Sequence, residues 1–538
     1  MTSSATIQTD VAIIGAGPTG LMLANLLGLH GVQTTVFEKR KTPFSEPRAI
    51  AFDPETLRLF QTVGCYEALS ETLELDVPVH YFNANGKTLA HISDGPPSFG
   101  HSGRGTYYQP ELEAALIKGL ADRPSVTLKR GIEVIGLENG RDAVDLKLRS
   151  TSDQMRSCSA SYVVDCSGGA SAVRGQLGIQ FEGSTFREKW LVIDVQGDDY
   201  EGREIRFFCD PKRPAVTLPV SKNRRRWEFL VMPGDDEVEL ASHESARALM
   251  AGYGAGKADR IERSLVYTFH ARFADRFREG RVLLAGDSAH VMPPFAGQGL
   301  NSGMRDAANL AWKLAGAVSG VFSDAILDTY EQERRPHVKA MTDLAIELGG
   351  TIMPTSAIKA WFRDRIMLTS WRFQRTRDKM NRGDMIPKPS IAGSPLVNWA
   401  RSEAVGQMID QPMVQNGDLR APLDDLLGLG FAAIGVNCDI NEELSWEDQA
   451  VLDQIGANRV SLSSGSNAAN RRDGNEQAGL LAECFGQGKT IALVRPDRFV
   501  IDAFAPSKGP PQLAWISKNY AVNQPTEPHV AAKPPVEA

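Results

Sequence analysis

The chain is poor in the features that would assign it quickly. Its 538 residues carry six cysteines, at 65, 158, 166, 209, 438 and 484, and no C-x-x-C. Thiols scattered in this way exclude a disulfide framework and a zinc ribbon, no metal site is indicated, and a reducing, cytoplasmic setting is expected. No apolar run reaches the roughly 18–20 residues of a membrane span. The opening MTSSATIQTD has neither the basic nor the apolar region of a secretory signal. A basic block is missing too: Lys plus Arg total 59 against 66 Asp plus Glu, a formal charge of −7. That balance disfavours a nucleic-acid partner. Internal repeats are absent. What is present is a globular composition, 42% hydrophobic and 23% charged, in a chain long enough for two or three domains.

Residues 8–39 read as strand, helix, strand: DVAIIG is apolar and of strand length, TGLMLANLLGLHG has helical spacing with Gly31 as a stop, and TTVFEK is β-branched. Further strands are expected at VTLKR, GIEVIGLE, DLKLRS and SYVVDCSGG. From about 187 to 270, KWLVIDVQ, EIRFFC, AVTLPV and RRWEFLVMP alternate apolar and polar residues, the pattern of an antiparallel sheet with one covered face. Val282–Leu284 returns to a buried strand, and a helix with an apolar stripe follows from about 300 to 318. Residues 386–422 are rich in Pro, Gly and polar residues and read as a linker. A small α/β domain is expected at 423–520, and the Pro-rich end, 521–538, reads as a disordered tail.

Two motifs carry chemistry. In IIGAGPTG, Gly15, Gly17 and Gly20 form G-x-G-x-x-G between strand and helix. The first glycine permits the tight turn, the second lets the backbone approach a pyrophosphate, and the third lets helix and strand pack. The helix N-terminus then offers free N–H groups and partial positive charge to the phosphates. Glu38, followed by Lys39, closes the second strand at the distance expected of a ribose-binding acid, which favours FAD or NAD over NADP. The second motif is VLLAGDSAHVMPPFAGQGLNSGMRDAANLAWKL, from Val282 to Leu314. Gly286–Asp287 closes a strand, where ligands bind in open α/β sheets, and the Asp287 carboxylate can accept hydrogen bonds from a polyol. Gly297, Gly299 and Gly303 let a flat ring approach the backbone, with the positive end of the next helix aimed at it.

Read together, these segments resemble the FAD-dependent aromatic hydroxylases, the single-component class A flavoprotein monooxygenases. PRAIAFDPETLRLFQTVG, YYQPELEAAL, RRWEFLVMPG, YTFHARFADRFREGRVLLAGD and YEQERRPH are similar to the branch acting on 3-(3-hydroxyphenyl)propionate. The resemblance implies an α/β chain: a Rossmann-like FAD-binding domain over 1–186 and 271–385, an inserted antiparallel-sheet substrate domain over 187–270, and a thioredoxin-like C-terminal domain. That last domain carries RPDRFV at 495–500 without C-x-x-C, so a structural or oligomerisation role is expected there. It also implies that Arg48 and Gln109 contact FAD, that Asp287 holds the ribityl chain with Gly286, Gly297, Gly299, Leu300 and Asn301 around the flavin, and that Pro293 borders flavin and substrate. NADH or NADPH would reduce the flavin, O₂ would form a C4a-hydroperoxide, and oxygen would pass to a phenolic ring. A homodimer is allowed.

Asp53 is the acid candidate. A phenol has a pKa near 10, so only about a thousandth is ionised at pH 7, and a carboxylate beside the hydroxyl can take the proton. Asp53 in FDPETLR is equally well placed as an N-cap, with Pro54 first in the helix. His270 is a further candidate whose alternative is a packed strand residue. Arg206, Arg224 and Arg225 are candidates for a carboxylate clamp, with solvated strand faces as the alternative. One departure stands out: VVDCSGGASAVR has Ser167-Gly168 where the family carries Asp-Gly, with Asp165 two residues upstream. It bears on how the nicotinamide coenzyme binds. A halogenase is disfavoured because W-x-W-x-I-P is absent. A reductase, an epoxidase, a polycyclic phenol as substrate and a scaffold without turnover remain as alternatives.

Overall fold

The computed structural model describes residues 6–520 except 46, 94–96, 199, 201, 222, 256–257, 392, 398–401, 417–418, 463–480, 482–484, 486–487 and 507–510. Cys484 and the expected tail lie outside the described residues. The chain is α/β with mixed sheets. The first sheet is parallel at its centre: Ile7–Ile14 pairs with Thr34–Glu38 on one side and Met155–Asp165 on the other, and these pair outward with Val126–Arg130 and Val282–Leu284. Its central strands are buried on both faces, which is why they read as continuous apolar runs. The Ile132–Asn139 and Val144–Ser150 hairpin attaches to Met155–Asp165.

Two helices pack against each other beside this sheet. Pro18–Leu29 starts with Pro at its first position and Gly17 as an extended N-cap that offers no side-chain bond. Gly299–Val318 likewise starts without a side-chain cap. They pack at small residues: a Cβ at Gly303 would lie 2.3 Å from Thr19 Oγ1.

The second sheet has eight strands in the order His290–Val291, Ala258–Ala274, Phe181–Asp198, Arg224–Leu230, Ala215–Ser221, Ile205–Cys209, Val79–Asn83, Thr88–Ile92. The expected 187–270 covers its middle. The last two strands come from the segment before the insertion and join through a parallel pairing of Val79–Asn83 with Ile205–Cys209. Trp227 and Phe229 pack on the outer face with Tyr253. The opposite face packs towards the helices Thr329–Ile352 and Ala357–Ser370.

The third unit is a four-stranded sheet in the order Asn458–Leu462, Ala432–Val436, Thr490–Val494, Val500–Phe504, with the first pair parallel and the others antiparallel. It shares one continuous core with the first unit; Trp312 and Phe431 rings meet at 5.4 Å. The stretch expected as a linker is packed into this junction. Ile391, Leu396, Val405, Ile409 and Val414 are buried, and Met413–Asn416 forms a hairpin with Leu419–Pro422. Its prolines and glycines serve turns in a packed wall rather than a solvated tether. Among the described residues no helix is long and apolar enough to cross a membrane, and no metal-holding cluster is present.

Candidate functional site

A single cleft of about 780 Å³ runs from the glycine turn of the first sheet to the inner face of the second. Gly15, with φ +103°, forms the turn; a Cβ there would lie 2.6 Å from the Cys166 carbonyl oxygen. A Cβ at Gly20 would lie 2.1 Å from Gly15 O, so Gly20 sets helix against strand and does not line the cleft. Gly17 does line it, and a Cβ at Gly17 would meet nothing within 4 Å. The open space over Gly17 and the uncapped helix behind it fit a pyrophosphate. Glu38 lines the same end and accepts from Ala16 N and Arg40 N, both at 2.9 Å, with Lys39 beside it.

Arg48 and Gln109 line the middle. Gln109 Oε1 accepts from Arg48 N and Ala49 N, each at 3.0 Å, and its amide donates to Glu113 at 2.8 Å. Gln109 therefore fixes the 48–49 backbone against the cleft. Asp287 lines the cleft with an exposed side chain, and desolvation by the surrounding walls pushes its carboxyl up. Gly286, at φ +61°, faces Thr19 instead of the cleft. Gly297, at φ +64°, Gly299, Leu300 and Asn301 all line it. Asn301 ties this segment to its neighbours: Oδ1 accepts from Thr56 Oγ1 at 2.7 Å, and Nδ2 donates to Gly297 O at 2.9 Å.

The two expected catalytic positions nearest the ring segment need correction. Pro293 is buried and caps the short turn Pro294–Ala296; the residues that line the cleft are Pro294 and Phe295. Adjacent residues in an extended backbone face opposite ways, so a one-residue shift exchanges wall for interior. His270 is not a cleft residue: it sits on the long ladder of the second sheet with Nδ1 3.0 Å from Thr185 Oγ1.

Asp53 lines the cleft, but its carboxylate is engaged. Oδ1 accepts from Thr56 N at 3.0 Å as an N-cap, and Oδ2 pairs with Arg305, which also holds Glu55 at 2.6 Å. The N-cap reading of Asp53 is thus met, with one bond accepted on each carboxylate oxygen.

At the departure from the family pattern, Asp165 is fully buried. It accepts from Ser167 N at 3.0 Å and from the Ser171 hydroxyl, while Ser167 lines the cleft. Burial pushes the Asp165 carboxyl up, against the pull of those bonds. Asp165 thus holds the Ser167–Ser171 turn through these two bonds.

The three arginines considered for a clamp, with strand faces as the alternative, lie away from the cleft. Arg206 pairs with Glu204, Arg225 with Asp198 at 2.9 Å, and Arg224 with Glu111 at 3.5 Å; none lines the cleft. Their neighbour Arg226 does, held by Asp194 at 2.7 Å and by the carbonyls of Arg48 and Pro47 at 2.9 and 2.7 Å. Glu228, on the same strand face, also lines it. Among the described residues no hydrogen bond reaches its carboxyl; Arg226 Nη1 stands 4.0 Å away. Burial pushes Glu228 above its ordinary value, against Arg226. Sequence reading missed this pair, although alternation in RRRWEFL places 226 and 228 together and opposite the two core aromatics.

Two further residues position the cleft from behind. Asp306 accepts from Gly286 N at 2.9 Å, His290 Nε2 at 2.6 Å and Arg334 Nε at 2.8 Å, fixing the Gly286–Asp287 turn. Burial alone would raise Asp306; His290 and Arg334 hold it well below the usual carboxylate range. Glu333 accepts from Arg495 at 2.6 and 3.0 Å, Lys313 at 2.8 Å, Asn309 at 2.6 Å and Ser394 at 2.6 Å, with Glu333, Lys313 and Arg495 0–1% exposed. Arg495 opens the RPDRFV stretch, so this cluster fastens the C-terminal sheet to the Gly299–Val318 helix. Asp424 does the same for the helix after Asp53, through Arg58 at 2.7 Å and Arg498 at 3.0 Å.

The glycine cradle, the apolar chamber and the two helix starts without side-chain caps fit a flavin nucleotide with a substrate beside it. Residues 8–345 match the FAD binding domain family, and the chain belongs to it. Residues 406–518 match the HcaD C-terminal domain. The chain is 42% identical over 507 residues to the 3-(3-hydroxy-phenyl)propionate/3-hydroxycinnamic acid hydroxylase of Burkholderia cenocepacia (strain HI2424), covering 92% of this chain and 93% of the relative. It is 37% identical over 510 residues to the enzyme of that name from Escherichia coli O9:H4 (strain HS), with 92% and 91% covered. In fold it is similar to the flavin-dependent monooxygenase PieE, at TM-score 0.81 and 21% identity, covering 96% and 99%. It is also similar to OxyS anhydrotetracycline hydroxylase from Streptomyces rimosus, at TM-score 0.73 and 25% identity, covering 96% and 99%. The chain is an FAD-dependent monooxygenase of the class A aromatic hydroxylases.

Proposed function

We propose that this enzyme hydroxylates the ring of a phenolic acid of the 3-(3-hydroxyphenyl)propionate kind, with NADH or NADPH as electron donor and O₂ as oxygen source. The observation that carries the reading is the continuity of the cleft, which joins a dinucleotide cradle to a chamber walled by Ile205, Phe207, Val216, Leu218 and Leu348. The names of the relatives at 37–42% identity support the substrate class.

In this reading Gly15 and Gly17 hold the pyrophosphate, Gly20 supports them, and Glu38 meets the ribose. Arg48 and Gln109 border the flavin, Asp287 meets the ribityl hydroxyls, and Gly297, Gly299, Leu300 and Asn301 lie along the ring. Bound FAD supplies the acceptance of electrons from the coenzyme and the activation of O₂. The chain's own residues bind, orient and exclude water: Met292, Pro294 and Phe295 close the ring-facing side, and Phe295 is braced by Trp190 at 5.7 Å and Phe269 at 5.7 Å. The FAD-binding unit is read as 1–186 with 271–385 and the substrate unit as an insertion, on the strength of the strand pairings. The C-terminal strand order, one parallel and two antiparallel neighbours, supports a thioredoxin-like reading with a structural role.

The test is NADH and NADPH oxidation by the FAD-loaded enzyme across a panel of phenols with peroxide measured alongside. Stimulation by 3-(3-hydroxyphenyl)propionate with little peroxide is expected. Oxidation that no phenol stimulates would contradict the proposal.

A further inference from the structure

Glu228 is placed by the neighbours on its own strand. On the inner face of Arg224–Leu230, Arg226 precedes it and Leu230 follows it. Arg226 donates to the carbonyls of Pro47 and Arg48, and Arg48 lines the cleft. Leu230 pairs in register with Trp190, whose ring stands 5.7 Å from that of Phe295, also a cleft residue. Along the strand, Glu228 therefore lies between the Arg48 side and the Phe295 side of the cleft. Its register partners are Val192 and Val216, and its side chain is 13% exposed. The sheet residues that line the cleft beside it, Val216, Leu218 and Phe207, are apolar.

Most of the other acids that line the cleft have partners. Glu38 holds the Ala16 and Arg40 amides, Glu113 the Gln109 amide, and Glu133 pairs with Arg149 at 2.7 Å. Asp53 holds Thr56 N and Arg305. Asp287 and Glu228 are left, and of these Glu228 stands on the second sheet. A carboxylate in apolar surroundings is costly unless a donor reaches it. Among the described residues the charged groups facing Glu228 are Arg226, Asp194 and Arg263. Both arginines are held by Asp194, at 2.7 and 2.5 Å, and Arg226 comes no nearer than 4.0 Å. A ligand hydroxyl in the chamber is a donor that this carboxylate can take. Burial outweighs Arg226 and raises the Glu228 carboxyl, which makes it the better proton acceptor.

We propose that Glu228 is the catalytic base that takes the proton of the substrate's ring hydroxyl. The O–H bond breaks and its electron pair stays on the phenolic oxygen, enriching the ring carbon that takes up oxygen. The proton passes to a Glu228 carboxylate oxygen and returns to solvent after product leaves. A phenol is ionised only to about a thousandth at pH 7, and a positioned base is worth about 100- to 10,000-fold in rate. The strand holds this base at the border between the flavin wall and the apolar chamber, so the hydroxyl is drawn to the side where oxygen is delivered. This inference rests on the phenolic-acid reading above.

The experiment compares Glu228→Gln with the unaltered FAD-loaded enzyme on 3-(3-hydroxyphenyl)propionate and on ring-fluorinated analogues of increasing acidity, the last ionised in water at the assay pH. Glutamine keeps the shape and a hydrogen-bonding oxygen but cannot take the proton. Retained flavin colour reports folding. Hydroxylation of the parent phenol by the variant is expected to fall about 100-fold. The ratio of the two enzymes should return towards one along the series, because an ionised phenol needs no base; a merely structural role would not give this recovery. An equal loss at every acidity, no loss at all, or a variant without flavin would overturn the role of Glu228 while the phenolic-acid reading stands. If the unaltered enzyme hydroxylates none of these phenols, both fall together.

Discussion

The two halves of the cleft are built by different means. The nucleotide half is mostly backbone: Gly15, Gly17 and the uncapped start of Pro18–Leu29, with Glu38 oxygens holding the turn. The substrate half is mostly side chains, brought into line by strand register across four strands of the second sheet. Backbone recognition needs glycines at fixed spacings along one segment. Side-chain recognition draws partners from strands as far apart in the chain as Val79–Asn83 and Arg224–Leu230, and only pairing sets who meets whom.

That difference predicts where substitutions act. The largest effect is expected at the cradle. Gly20→Val puts a branched side chain onto Gly15 O, a backbone contact that cannot swing away, so the protein should be recovered without flavin colour. Gly17→Ala, which meets no atom, should unfold at the unaltered temperature yet bind FAD weakly. Equal loss of stability in both would erase the distinction between a packing and a ligand-facing glycine.

Next come the buried charges behind the cleft. Glu333→Ala strands Lys313 and Arg495 in the interior, and removing one partner of a buried pair costs about 3–5 kcal/mol. Thermal unfolding should show it, and an unchanged midpoint would mean that the C-terminal sheet does not brace the Gly299–Val318 helix. Acid should loosen the same junction. Asp424 is held down to about 2 by Arg58 and Arg498 despite its burial, below the roughly 3.9 of an unfolded aspartate. The native state then binds fewer protons than the unfolded one. The Asp424 contribution is complete above pH ~4 and disappears as pH falls to ~2, a loss of about 2–3 kcal/mol. Asp424→Asn should flatten stability over that interval, and an unchanged acid limb would contradict the assignment.

Smaller effects sharpen the substrate half. Asp53→Ala should cost about 1 kcal/mol as a lost N-cap, whereas Asp53→Asn, also a good cap, should keep both stability and turnover. Loss of turnover in Asp53→Asn with stability intact would restore Asp53 as the proton acceptor. Ser167→Asp should change coenzyme kinetics by no more than about twofold, the scale of a substitution away from packed contacts. A larger gain would show that Asp165 does not substitute for the family's aspartate.

The legible parts of the sequence follow from the same contrast. The G-x-G-x-x-G turn, Glu38 and the 282–314 segment could be read because each is contiguous and its residue types answer to a backbone conformation. Pro293 was misplaced by one position because a sequence does not say which of two prolines faces in; Pro294 does. His270 and the three arginines were candidates by type alone, and pairing on the second sheet turned them away. Glu228 and Glu333 were missed because their significance is tertiary: an acid on the strand face opposite the core aromatics, and a carboxylate paired with Arg495, 162 positions later. The 386–422 stretch looked like a tether because turns and tethers share a composition.

The most direct test is turnover of 3-(3-hydroxyphenyl)propionate under ¹⁸O₂ with the FAD-loaded enzyme and NADH or NADPH. The account predicts a product one oxygen heavier, that atom coming from the labelled gas, with coenzyme consumed in step. A product carrying no label, or coenzyme oxidised only to peroxide, would contradict it.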